Sequence, residues 1–209
     1  METVEKIKLS EKQIAEIENG KIVAIKASWD EFWEFAETNK YKNDYHNGEI
    51  LIMGAAHFLN ELLVSHINSI FYNFYNSKGY LIAGSNLGIS IPEIDSYYNA
   101  DLTIIKDKPN FKNNSKYIIT NPFIVIEIIS QSTANYDFHF KRNKYQKLTS
   151  LEEIVFVDRF DKSIIVFKKT NDPKVWMETI YDAPNDLVVV DTLTFELGEV
   201  FNNLPNISE

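Results

Sequence analysis

Apolar residues recur at helical spacing from Ala55 to about Ser77: Leu59, Leu62, Leu63, Ile67, Ile70, Phe71 and Phe74. This periodicity predicts the longest helix of the chain, ended by Lys78 and by Gly79 at the position where helices turn left-handed. A shorter helix is expected from a capping box at Ser28-Trp29-Asp30-Glu31 to about Asn39. Another should run from about Tyr136 to Leu148, capped by Ser132 or Thr133. Asn47-Gly48 marks a hairpin, because both residue types tolerate positive φ, and Glu49 opens the strand that follows. Short apolar runs predict strands at 80–83, 87–91 and 100–106, and another from Phe123 just after Pro122. Turns at Asp161-Lys162 and Asn185-Asp186 divide the last third into expected strands at 154–157, 163–167, 175–180 and 187–190. Helices and strands alternate without a regular βαβ series. The expected architecture is α/β (α+β), a mixed central sheet with helices on its faces.

The 209 residues suffice for one sizeable core, and a single domain over 1–209 is expected. Residues 1–12 mix charged and apolar positions, so no signal segment is expected. No apolar run approaches the roughly 20 residues that span a bilayer, so a soluble, cytoplasmic protein is expected. The chain has no cysteine, which removes disulfides, thiol nucleophiles and sulfur-ligated zinc and leaves oxygen and histidine as metal donors. A net charge of −9 argues against holding nucleic acid by bulk electrostatics. Lys141, Arg142, Lys144 and Lys147 nevertheless form a local basic cluster, or simply a solvated helix face.

Within this pattern one residue is out of place. Glu127 lies inside Phe123-Ile-Val-Ile-Glu127-Ile-Ile, a run that otherwise wants full burial. A buried carboxylate is costly unless paired. Two partners would satisfy it: a salt bridge with Lys141, or a divalent metal shared with Asp101 from the Ala100-Asp101-Leu-Thr-Ile-Ile strand. Side chains of neighbouring strands, about 4.8 Å apart, can converge on one ion. All-oxygen ligands suit Mg²⁺ or Mn²⁺, with Glu49 and the backbone carbonyl of Ile128 as further donors. Asp137, Lys141 and Tyr145 are spaced four apart and share a helix face, and a tight turn at 131–135 would bring that face over Glu127. A lysine there could offset charge developing on a phosphate. His46, His66 and His139 lack mutual ligand spacing and read as structural or surface residues. The Phe71-Tyr72-Phe74-Tyr75 cluster reads as core packing or a dimer face.

Asn47-Gly48-Glu49-Ile50, His57, Ala100-Asp101, Ile126-Glu127-Ile128-Ile129-Ser130, Ser132-Thr133, Asp137, Lys141 and Tyr145 together resemble the Uma2-like family. Its members are restriction-endonuclease-like proteins of the PD-(D/E)XK nuclease superfamily. Leu151-Glu152-Glu153-Ile154-Val155-Phe156-Val157-Asp158 resembles the strand after that family's lysine helix, and the likeness covers about 29–204 behind a short N-terminal extension. It implies a four- or five-stranded mixed sheet flanked by helices, with additional C-terminal strands and a metal-dependent phosphodiesterase site. Asp101 and Glu127 would be its acids, Glu49 the acid of the early hairpin, and Lys141 a lysine moved from strand to helix. His57, Asp137 and Tyr145 would support them. The superfamily's usual lysine position, two residues after Glu127, is Ile129 here, and the proline usual before the aspartate is Ala100.

The expected function is a Mg²⁺-dependent DNA endonuclease, with Mn²⁺ as a substitute ion, DNA as substrate and a homodimer as the working form. The alternatives are a non-catalytic descendant that binds nucleic acid or a protein, and a phosphohydrolase acting on nucleotides in a closed pocket.

Overall fold

A computed structural model describes residues 7–54, 57–91, 94, 96–112, 115–129 and 136–206, with Glu37 described in its backbone alone. The expected cap at Ser132 or Thr133, the turn at 131–135, Ser130 of the strand motif and the first residues of the helix expected from Ala55 lie outside the described residues.

The N-terminal third builds one sheet and its cover. Helix α1 (Glu11–Glu18) precedes strand β1 (Val23–Lys26), helix α2 (Trp29–Thr38) and the hairpin β2 (Lys42–His46) and β3 (Glu49–Met53). The capping box at Ser28 forms as the sequence predicts: Glu31 N–H donates to Ser28 Oγ, and Ser28 N–H donates to the Glu31 carboxylate. Asn47 and Gly48 take φ of 49° and 79°, as a two-residue hairpin turn requires. Ile17, Phe32, Phe35, Ile50 and Ile52 bury together between these helices and the sheet.

The long helix α3 (Phe58–Tyr75) follows, ending through a short 3₁₀ turn at Gly79, whose φ is 78°. Strands β4 (Leu81–Gly84), β5 (Gly88–Ile91), β6 (Ser96–Asn99), β7 (Leu102–Ile105), β8 (Ile118–Ile119) and β9 (Ile124–Ile129) come next. A wide π-helical turn, Tyr136–Lys141, continues into the short helix α4 (Arg142–Tyr145). Strands β10 (Glu153–Asp158), β11 (Ser163–Lys169) and β12 (Trp176–Tyr181), the hairpin β13 (Leu187–Val190) and β14 (Leu193–Glu196), and helix α5 (Leu197–Phe201) complete the chain.

These strands form two six-stranded sheets, β1-β3-β2-β6-β5-β8 and β12-β11-β10-β9-β7-β4, plus the two-stranded β13-β14. Each main sheet is mixed, with β5–β8 and β9–β10 parallel. The second sheet has six strands where four or five are expected, because β11 and β12 extend its edge beyond β10. The chain changes sheet between β3 and β4, β4 and β5, β6 and β7, β7 and β8, and β8 and β9; two of these crossings, β4–β5 and β6–β7 at Ala100–Asp101, lie side by side. Asn99 ties the two crossings together by donating from its side-chain amide to the carbonyl of Ser85.

Parity along β9 decides what lies on each face. Ile124, Ile126 and Ile128 point to α3 and bury against Leu63, Ile67, Phe71 and Tyr75. The helical Phe71 and Tyr75 are thus spent on the core, while Tyr72 is about half exposed. Val125 and Ile129 point to the opposite face, with Tyr145, Leu148, Ile154 and Phe156. Glu127 shares that second face, so burial of its neighbours carries it inside.

Candidate active site

Strands β7 and β9 are antiparallel, with Leu102 opposite Ile126. One further step in the same register places Asp101 opposite Glu127, and directly opposed residues project from the same face. Asp101 stands at the sheet crossing and remains about one-fifth exposed. Its Oδ2 accepts from the Ile128 N–H at 2.8 Å, and its Oδ1 accepts from Lys42 Nζ at 2.9 Å. Glu127 is buried, and its Oε1 accepts from Tyr145 OH at 2.8 Å and from Lys141 Nζ at 3.2 Å.

Lys141 closes the other side. The π-helical turn puts Asp137 Oδ1 at 3.1 Å from Nζ, and β2 brings Asp44 Oδ2 to 3.4 Å. With Glu127, three carboxylates enclose an ammonium whose side chain is 1% exposed. Asp44 is itself held in place: its Oδ1 accepts from the Asn99 N–H at 3.0 Å and its Oδ2 from Tyr136 OH at 3.1 Å. Asp137, Lys141 and Tyr145 therefore share one helical face, as their spacing predicts, and Lys141 and Tyr145 both reach Glu127.

Burial pushes the Glu127 carboxyl up to about 8; Lys141 opposes the rise, while Asp137 and Asp101 add to it. For Lys141 burial works against the charged form, but Asp137, Asp44 and Glu127 outweigh it and hold the ammonium well above its ordinary range. Burial also raises the Tyr145 hydroxyl, so it stays protonated and donates to Glu127. Asp101 goes the other way: burial would raise it, but Lys42 and the Ile128 N–H hold it below the usual carboxylate range.

The remaining expected residues lie further out. Glu49 opens β3 opposite His46 and Lys26, and is partly exposed. It shares a strand face with Asp44 and Lys42 but sits at the hairpin end, and Asp44 is the hairpin acid that touches Lys141. His57 is the N-cap of α3; its Nδ1 accepts from the Leu59 N–H and lies 3.0 Å from an Arg159 nitrogen.

Sequence reading missed Asp44, Lys42 and Tyr136. Lys42, Asp44 and His46 alternate along β2 and look like the wet face of a hairpin. Leu51 and Met53 on the paired strand face were the available signal, because a wet face has no reason to set them opposite Asp44 and Lys42.

Among the described residues, no three His, Asp or Glu side chains are grouped to hold a metal ion. Two carboxylates on one face are still the number that Mg²⁺ takes, since it keeps several waters and substrate oxygens in its shell. Four acidic side chains (Asp44, Asp101, Glu127, Asp137) surround two lysines, and with Glu127 raised to about 8 the cluster gains its full negative surplus only when that carboxyl ionises. The side-chain donors here are carboxylate oxygens, the ligand type that hard divalent ions take.

A mixed sheet with acids adjacent on two of its strands, crossed by a lysine-bearing helix, defines a restriction-endonuclease-like, nuclease-fold protein. Residues 29–200 match the Uma2 family, described as "Putative restriction endonuclease", and the chain belongs to that family. Two proteins of Synechocystis sp. are similar to it, both named as uncharacterized. One, sll1609, is 26% identical over 149 residues, covering 71% of this chain and 84% of its own; the other, slr1290, is 26% identical over 180 residues, covering 86% and 93%. The crystal structure of "a putative nuclease belonging to DUF820" from Anabaena variabilis superposes with a TM-score of 0.67 at 17% identity, covering 85% of this chain and 97% of that one. This likeness is one of fold. No helix among the described residues is long and apolar enough to cross a membrane.

Proposed function

We propose that this protein is a metal-dependent DNA endonuclease that hydrolyses phosphodiester bonds. The observation that supports the reading is the β7–β9 register, with Leu102 opposite Ile126, whose continuation would carry Asp101 to the face of Glu127, Asp101 remaining about one-fifth exposed. Asp101, Glu127 and the Ile128 carbonyl would hold Mg²⁺ or Mn²⁺, with Glu49 supporting from the hairpin. A bound ion supplies Lewis acidity toward a phosphoryl oxygen and acidifies a bound water. The chain's part is preorganisation. The Ile128 N–H fixes the Asp101 carboxylate, and the Tyr145 hydroxyl fixes that of Glu127. Lys141, enclosed by three acids, offsets charge at the site through Glu127 and keeps that carboxylate in place.

Asp101→Ala and Glu127→Gln are each expected to abolish Mn²⁺-supported cleavage of plasmid DNA while circular dichroism and melting show a folded chain. Cleavage at the wild-type rate in both variants would reject the assignment. A second reading, nucleic-acid binding without cleavage, is favoured by Lys42, whose ammonium already neutralises Asp101. It predicts no Mn²⁺ binding by calorimetry in the folded wild type.

A further inference from the structure

Beside Asp101 the two sheet crossings leave a cleft of about 470 Å³, within the range of small-ligand sites. Its walls include Ser85 and Asn86 of the β4–β5 turn, Glu61 of α3, and Lys116 and Tyr117 just before β8. Tyr117 is 72% exposed, unusual for so large a ring next to a candidate active site. Its backbone is nevertheless pinned on both sides. Its carbonyl accepts from the Gly88 N–H at 2.8 Å, its N–H donates to Ser115 Oγ at 3.0 Å, and the next two residues enter the core as β8. Tyr117 thus lines the cleft from a main chain held by hydrogen bonds on both sides.

From this arrangement we infer that the cleft is a subsite for one unpaired nucleotide next to the scissile phosphate, with Tyr117 stacking on its base and Lys116 meeting a backbone phosphate. The inference rests on the phosphodiesterase reading and names its substrate as single-stranded or locally unpaired nucleic acid.

Charge and shape favour this ligand over a regular duplex. Duplex affinity is dominated by cations on phosphates, whereas the chain carries −9 and Lys116 stands in the cleft with Glu61 and Asp101. Stacking on an exposed aromatic needs little positive charge and every base can provide it, but the base must be out of the helix. Ser85 and Asn86 add polar groups at the rim of the same space.

The test is fluorescence polarisation with a labelled dT12 strand and a duplex of equal length, both in EDTA so that no cleavage intervenes. The wild type should bind the single strand more tightly. Tyr117→Ala should weaken that binding by about tenfold, and Tyr117→Phe should leave it nearly unchanged. Lys116→Ala should reduce the slope of log affinity against log salt by about 0.7. Tyr72→Ala, which removes an exposed ring elsewhere, should have no effect. Equal affinity of Tyr117→Ala and wild type, or equal binding of strand and duplex, overturns the subsite. If Asp101-dependent cleavage persists alongside that result, only the subsite falls. If the wild type neither binds nor cleaves, the phosphodiesterase reading falls with it.

Discussion

Lys42 Nζ sits 2.9 Å from Asp101 Oδ1, so a cation tethered to β2 occupies one oxygen of the carboxylate that a metal would need. The pair is partly open, at 30% and 20% side-chain exposure, so its strength lies between the about 1 kcal/mol of a surface pair and the about 3–5 kcal/mol lost on breaking a buried one. A tether of that strength can be displaced, but it competes. Lys42→Met is therefore expected to tighten Mn²⁺ binding by about five- to tenfold in titration calorimetry while lowering stability by less than the about 3–5 kcal/mol that breaking a fully buried pair costs. Unchanged affinity would show that the lysine and the ion do not share the carboxylate.

Lys141 stands in the opposite situation. It is buried, and its three acids depend on it for charge compensation. Removing one partner of a buried ionic cluster typically costs about 3–5 kcal/mol, because the charges left behind are unpaired. Lys141→Ala should fall in that range by urea denaturation. Asp137→Asn should cost less, since Asp44 and Glu127 still meet the ammonium. Equal losses in the two variants would mean that Asp137 carries the cluster.

Much of this arrangement could be read from the sequence. Turns and caps were legible because their chemistry is local: Ser28 with Glu31, Asn47 with Gly48, and Gly79 need no distant partner to be recognised. Glu127 was legible because an acid in an apolar run breaks a rule, and the four-residue spacing of Asp137, Lys141 and Tyr145 survived the widening of their helix into a π turn. The short helices α1 and α5 and the strands β1, β6, β8 and β14 were missed, because two to eight residues carry too little periodicity to stand out. Asp44 was missed for another reason. The Tyr136–Lys141 turn, 92 residues away at the Tyr136–Asp44 contact, covers this apparently wet hairpin face through Tyr136, Phe140 and Lys141. The division into two sheets was also hidden, since it is set by where β4–β5 and β6–β7 change partners and no residue type marks those points.

Gly88 links the β4–β5 crossing to the tyrosine of the cleft. A side chain there would run into the ring of Tyr97, which is itself packed among Phe32 and Trp33. Gly88 also donates its N–H to the Tyr117 carbonyl. Gly88→Ala is expected to cost about 1–3 kcal/mol, the usual range for overpacking a filled core, and to disturb the presentation of Tyr117. The melting temperature checks the first effect. The dT12 affinity of the variant, measured well below its melting point, checks the second.

His46 supplies a pH dependence that is independent of any metal. The ring is buried, with Nδ1 at 3.1 Å from Tyr98 OH and 3.4 Å from Ser96 Oγ, and packs edge-on against Phe140 at 4.2 Å between centroids. Glu49 is its cross-strand partner on β3. Burial, reinforced by the positive charge of Lys144, pushes the imidazole down from 6.5 to about 4. The unfolded chain therefore takes up this proton first as pH falls. Stability is fully present above about 6.5 and drains between 6.5 and 4, by about 3 kcal/mol in total. His46→Gln lacks this group, so the stability gap between wild type and variant should shrink as urea unfolding is repeated from pH 7 down to 4.5. Carboxylates that titrate near the bottom of that range act on both proteins alike and cancel in the difference. Parallel curves for the two proteins would show that folding leaves the histidine's proton affinity unchanged, and a gap that widens toward low pH would show it held protonated in the native state, with Glu49 as the carboxylate placed to receive it.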